Sequence, residues 1–243
     1  ALTSLVVTNS SGKSNAIEGI HILSDIASGL DLSVILDGTR NNGSYIRGGS
    51  KSCCRFKTSS FKIGCLVDLD EDYDLYYYIK ISTGKRVWVE EEALYKVKNG
   101  RTEATGGEKI FKTRSVAGES GDIRVEYNDK NRGRNPYILC MRVSSVLAQL
   151  KTKLPQNSER DRECLSYIEI VLNNLKKIFV LNPVPIEMRD YVRITDSELK
   201  ENCENISNIC YEQNINYLYI NNCKEFDVNT IVNLDLKGFE LEY

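Results

Sequence analysis

Leu5-Val6-Val7-Thr8-Asn9-Ser10-Ser11-Gly12-Lys13-Ser14-Asn15-Ala16-Ile17-Glu18-Gly19-Ile20 is the stretch that decides how this chain is read. A β-branched run, Leu5 to Val7, feeds a small polar loop, and the loop opens into a helical pattern. Ile17, Ile20, Leu23, Ile26 and Ala27 recur at three- and four-residue spacing, which predicts a helix stopped by Gly29. Strand, Gly-Lys-Ser loop and helix, in that order, are the setting in which a backbone wraps phosphate. Loop amides and a helix N-terminus bring free N–H donors and partial positive charge to one place. Ser10, Ser11 and Gly12 would cradle a β-phosphate through their amides. Lys13 would reach the β- and γ-phosphates, and the Ser14 hydroxyl would hold Mg²⁺. One position departs from the pattern. G-x-x-x-x-G-K-[ST] asks for glycine where Val7 stands, and valine resists the φ > 0 that glycine adopts freely.

The rest of the composition is that of an ordinary globular chain. Of 243 residues, 41% are hydrophobic and 27% charged, which excludes a disordered or low-complexity scaffold and leaves room for a real core. Lys and Arg total 32 against 34 Asp and Glu, a net charge of -2, so any nucleic-acid contact must come from a local patch. No apolar run approaches the roughly 18 residues of a membrane span. The opening residues lack the charged start of a signal peptide. The expectation is a cytoplasmic protein with no membrane partner. Eight cysteines, at 53, 54, 65, 140, 164, 203, 210 and 223, show no C-x-x-C spacing, and His21 is the single histidine. Reduced, partly buried thiols are expected rather than a zinc site or a disulfide frame. His21, inside the helical stretch, reads as a packing or surface residue, so no Ser/His/Asp triad can be assembled.

After a Gly-rich stretch at 37–52, residues 61–68, 75–82 and 86–89 read as strands of an antiparallel meander. Alternation places Tyr76 and Tyr78 on one face of the middle strand and Leu75, Tyr77 and Ile79 on the other. Asp68, Asp70, Glu71, Asp72 and Asp74 are read as a solvated hairpin tip rather than a metal site. A second hairpin is expected from 109–113 and 122–128. The basic loop 129–135 then closes a first region, residues 1–135. Region 136–243 reads as helical with short strands: helices at 144–150, 158–179 and 196–213, and a strand at 178–181.

These pieces together carry a resemblance. Thr8 to Glu18 resembles the Walker A of ABC-type ATPases of the SMC/RecF/OLD group, written G-x-N-x-[SA]-G-K-S-N-[ILA]-[IL]-[ED]. Asn9, Ser11 and Asn15 set it apart from a generic P-loop. Ile46-Arg47-Gly48-Gly49 is similar to the arginine-bearing strand that follows the Walker A helix in such heads. The segment from Leu181-Asn182-Pro183 to Met188-Arg189-Asp190-Tyr191 is similar to the L-[DN]-P-x-P-x-x-M-R-x-Y segment of bacterial ATPases found in phage-defence systems.

The resemblance implies an α/β fold: the N-terminal lobe of a P-loop ATPase head, with an antiparallel β subdomain and a helical insertion. It implies ATP and Mg²⁺ as ligands, held by Asn9, Ser10, Ser11, Gly12, Lys13, Ser14 and Asn15. Lys13 and Ser14 would take the catalytic roles, and Arg47 would contact nucleotide or nucleic acid. Its implied partners are a second copy in a head-to-head ATP sandwich, DNA or RNA, and a nuclease or toxic effector. The alternatives are a scaffold that uses ATP as a conformational ligand, or a DNA repair ATPase. No L-S-x-G signature, Walker B or switch histidine is found, and Asp68-Leu69-Asp70-Glu71 lies too soon after Walker A to serve as Walker B. A C-terminal lobe carrying these motifs is expected to be missing. So is a segment of about 20 residues, a turn and one more strand, near Val7 to Ser10. Arg132, Arg134, Lys176 and Lys177 are basic residues that could touch phosphates, although each reads first as an ordinary solvated side chain.

Overall fold

A computed structural model of the chain describes residues 13–39, 46–55, 57–99, 106–114, 120–128, 136–178, 188, 199–200 and 202–206. The chain divides into two compact units, residues 1–17 with 179–243, and residues 18–178. The described part of the first unit includes a turn in which Asn205 accepts from the Lys200 amide at 2.8 Å and Cys203 takes φ +60°.

The second unit is built on one sheet of six strands in sequence order, every pairing antiparallel. They are β1 (Ser60–Asp68), β2 (Tyr73–Ser82), β3 (Trp88–Lys98), β4 (Glu108–Arg114), β5 (Asp122–Tyr127) and β6 (Tyr137–Met141). The helices are α1 (Lys13–Ala27), α2 (Leu32–Asp37), α3 (Val146–Lys153) and α4 (Glu159–Lys176). The fold is therefore mixed α/β, a six-stranded antiparallel sheet with four helices among the described residues. The parallel sheet of a P-loop fold is not among them. β6, which follows residue 135, belongs to the same sheet as the five strands before it.

The strand pattern of 75–82 explains the layering. Leu75, Tyr77 and Ile79 are fully buried and share one core with Ile22, Leu23, Ile26 and Ala27 of α1, and with residues of α2, α3 and α4. Tyr78, with Ala93, Tyr95 and Val97, forms a smaller cluster of its own, and Tyr76 packs against it. The two faces separate as the period-2 alternation requires. Gly64 in β1 is obligatory for a steric reason. A Cβ there would stand 2.5 Å from the Tyr77 carbonyl oxygen.

Helix ends are set locally. Gly29 stops α1 at φ +78°, donating to the Ile26 carbonyl at 3.1 Å. Ser158 and Asp161 form a capping box at the start of α4. Several elements differ from the sequence reading. The strand expected at 86–89 begins at Trp88 and continues to Lys98, and residues 137–141, in the region read as helical with short strands, form β6. Of the helix expected at 196–213, residues 199–200 and 202–205 are described and form a turn instead, Cys203 at φ +60° being incompatible with a continuous helix. Its other residues, and most of the strand at 178–181, lie outside the described residues.

Candidate nucleotide site

α1 opens at Lys13, directly after Gly12 of the Gly-Lys-Ser motif. Its first turn holds no acidic residue. A lysine and no carboxylate at the positive end of a helix is the reverse of what the macrodipole favours. That arrangement is relieved by an anion placed at the helix start. Asn9, Ser10, Ser11 and Gly12 lie outside the described residues, as does Val7, and with them the expected discontinuity near Val7 to Ser10. Of Lys13 and Ser14 only the backbone is described, and Asn15 is exposed on α1.

Arg47 is placed by a tightly built turn. Residues 46–49 form a turn, not the expected strand, because Gly48 and Gly49 take φ of +77° and +62°. The Gly49 amide donates to the Ile46 carbonyl at 3.1 Å, and the Ser50 amide donates to Asp37 Oδ1 at 2.8 Å. A Cβ on Gly48 would lie 2.1 Å from Ser52 Oγ, and one on Gly49 would lie 2.7 Å from Asp37 Oδ1. The turn is thus clamped between the end of α2 and the short 3-10 turn Ser50–Ser52. It directs Arg47 to α1, where Nε donates to Glu18 Oε1 at 2.6 Å. The Arg47 side chain is 66% exposed, so the pair adds little stability and serves mainly to orient the guanidinium.

No protein-family model, curated protein or solved structure matches this chain. The site is therefore read from its own residues.

The acidic run at 68–74 forms the β1–β2 turn. Asp70 Oδ1 accepts from the amides of Asp72 and Tyr73 at 3.0 and 2.9 Å, and Asn99 Nδ2 donates to the Glu71 carbonyl at 2.6 Å. These bonds hold the turn, and no group of three or more His, Cys, Asp or Glu among the described residues is placed to hold a metal. His21 is half-buried on α1 beside Asp25, whose carboxyl burial pushes up and His21 pulls down. Lys176 and Lys177 are exposed at the end of α4, and Arg132 and Arg134 lie outside the described residues. None of the six described cysteines is in a disulfide. Burial pushes Cys53, Cys65, Cys140 and Cys203 up to about 11, far from nucleophilic thiolates at neutral pH.

Two roles were not visible in the sequence. Asp37 and Glu18 hold the Arg47 turn from either side, which only the folded turn reveals. Glu92 is a fully buried carboxylate. Its Oε1 accepts from Tyr77 OH, Ser145 Oγ and the Leu147 amide at 3.0, 2.9 and 2.8 Å, and its Oε2 accepts from the Val146 amide at 2.8 Å. It thereby supplies the start of α3 with the acceptors that a helix N-terminus lacks. In Glu90-Glu91-Glu92 it looks like one of three surface charges. The β-bulge at Glu90, between the pairs Lys80–Glu91 and Ile81–Val89, disguises which of them turns inward.

Among the described residues, no helix is long and apolar enough to cross a membrane.

Proposed function

We propose that this chain binds and hydrolyses ATP with Mg²⁺ as the N-terminal part of an ABC-type ATPase head of the SMC/RecF/OLD kind. The observation that carries the reading is the start of α1 at Lys13, with an acid-free first turn. An antiparallel sheet packed on the apolar face of that helix supports it, as does an arginine turn tied to Glu18 of the same helix.

In this reading the amides of Ser10, Ser11 and Gly12 receive the β-phosphate, and Lys13 neutralises the β- and γ-phosphates. Asn9 and Asn15 flank the loop. The Ser14 hydroxyl would supply one hard oxygen donor to Mg²⁺. Bound Mg²⁺ supplies charge neutralisation on the phosphate oxygens. Arg47 adds a cation directed by Glu18. Water attacks the γ-phosphate in line, and the chain contributes positioning and charge rather than covalent chemistry.

The head works in the cytoplasm, pairs across the nucleotide with a second copy, engages DNA or RNA, and controls a nuclease or toxic effector in anti-phage defence. Val7 at the glycine position favours a second reading, in which ATP is a conformational ligand with little turnover.

Calorimetry tests the assignment. Lys13→Ala should abolish tight MgATP binding, and Ser14→Ala should weaken the Mg²⁺ dependence more than the affinity for free nucleotide. Equal ATP affinity in wild type and Lys13→Ala would sink it. Turnover measured against affinity separates the two readings.

A further inference from the structure

Tyr137, Leu139 and Met141 stand at alternate positions of β6 on the sheet face away from the main core, and Val143 follows in the turn after the strand. They are 44% to 52% exposed. Leu30, 48% exposed, adjoins the Asp31–Ser144 bridge just past Val143. Three of the six exposed large apolar side chains among the described residues thus form one row on β6. Scattered apolar residues need no explanation, but a contiguous row does.

The outer edge of this strand is already occupied. Gln149 of α3 donates to the Met141 carbonyl at 2.7 Å and accepts from the Met141 amide at 2.9 Å. Lys153 donates to the Leu139 carbonyl at 3.1 Å. These side chains stand in for a neighbouring strand, so a partner meets this region through the side-chain face rather than by adding a strand.

The charges beside the row identify that partner. On β5, Arg124 lies opposite Leu139 and Asp122 lies opposite Met141. The Arg124 guanidinium rests 4.1 Å from the centre of the Tyr137 ring, and its Nε has no hydrogen-bond partner. Its ion pair with Glu126, at 3.4 Å, is shared with Arg114, which holds the same carboxylate at 2.9 Å. Two guanidinium groups therefore divide one carboxylate, while Asp122 is exposed.

We propose that this face is a docking surface for a second copy of the chain, formed without nucleotide and separate from the pairing across ATP. A two-fold axis lying between the faces, perpendicular to the strands and level with Cys140, sets Leu139 against the partner's Met141. The same operation sets Arg124 against the partner's Asp122, and the reverse contact follows by symmetry. The apolar row and its charges are self-complementary in this antiparallel register and in no parallel one. The three β6 side chains, about half exposed, offer roughly 300 Å² of apolar surface, below the ~800 Å² per partner of a standard interface, so the pairing is weak and concentration-dependent, with the Arg124–Asp122 contacts setting its register.

Sedimentation of the full chain across micromolar concentrations, without nucleotide, tests this. A concentration-dependent dimer is expected. Leu139→Asp and Met141→Asp, both at exposed positions, should keep the far-UV spectrum and melting temperature while raising the dimer dissociation constant roughly 100-fold or more. Asp122→Arg alone and Arg124→Asp alone should each weaken pairing, whereas a mixture of the two variants should form heterodimers, because arginines on one copy then face aspartates on the other. A monomer throughout, a dimer that requires MgATP, a dimer untouched by the β6 variants, or variants that fail to pair when mixed would overturn the proposal. The β6 face, not Lys13, carries this pairing: a MgATP-dependent dimer would support the nucleotide reading while overturning this proposal, and the other failures leave the nucleotide reading standing.

Discussion

Removing the Glu92 side chain should cost this fold a large share of its stability. Glu92→Ala leaves Tyr77 OH, Ser145 Oγ and the first amides of α3 without their acceptor, four hydrogen bonds in all. Each buried donor left unpaired costs about 1–3 kcal/mol. Water entering the vacated space recovers part of this, so about 4 kcal/mol is the expected loss. Against a typical stability of about 5–15 kcal/mol, that is enough to lower the melting temperature by roughly 10 °C. Trp88, the single tryptophan, lies on the same strand with the Arg142 guanidinium 4.0 Å from its ring centre, so its fluorescence reports this part of the sheet. Urea unfolding followed at Trp88 gives the comparison directly. A loss below about 1 kcal/mol would show that the four bonds are not what anchors α3.

Glu92→Gln tests the charge separately. Burial pushes the Glu92 carboxyl above its ordinary value of 4.5, against the donors from Leu147, Val146, Ser145 and Tyr77, which pull it down. The folded state therefore holds the proton to higher pH than the unfolded chain. The stability this contributes is complete below about 4.5 and is lost as pH rises through the folded value. Wild type should lose stability relative to Glu92→Gln over that window. A difference that grows in favour of wild type with rising pH would mean that the four donors outweigh desolvation.

Other perturbations have defined outcomes. Gly49→Ala forces an L side chain to φ +62° with its Cβ 2.7 Å from Asp37 Oδ1. A loss of about 1–2 kcal/mol from the backbone alone is expected by thermal melting, together with loosening of the turn that carries Arg47. Ser158→Ala removes the capping box of α4 and should cost about 1 kcal/mol in denaturant unfolding. Cys65 and Cys140, both pushed up to about 11, should react slowly with a thiol reagent at pH 8, with rates that keep climbing toward pH 11.

What the sequence disclosed follows from which signals are local. α1 and its stop at Gly29, the capping box at Ser158, and the alternation that parts Tyr76 and Tyr78 from Leu75, Tyr77 and Ile79 all depend on near neighbours. They were legible for that reason. β6 was not, because Tyr137 to Met141 is apolar on both faces and lacks the alternation that marks a half-solvated strand. α2 spans six residues, shorter than any periodicity can establish. The candidate site divides the same way. Lys13 and Ser14 stand out by motif, whereas the hold of Glu18 and Asp37 on the Arg47 turn joins residues far apart in sequence. The expected strand at 46–49 failed because two glycines with positive φ dictate a turn.

The outer face of the sheet shows why the β6 row calls for a partner when the aromatic residues nearby do not. On β2 and β3, Tyr78 and Tyr95 stack at 6.4 Å between ring centres, and Lys62 covers the Tyr78 ring at 3.6 Å. Tyr78 OH donates to Glu91 at 2.7 Å, and Lys112 pairs with the same carboxylate at 3.0 Å. The Lys62 ammonium thus sits on the face of the Tyr78 ring, and both tyrosines end below 10% exposure. At β6 the same device is incomplete. Arg124 covers one side of Tyr137, but Leu139, Met141 and Val143 remain about half exposed. α3 satisfies the backbone edge through Gln149 and Lys153 without covering the side chains. One half of this face buries its own apolar surface, and the other keeps it open beside charges that a second copy, turned end for end, would complement.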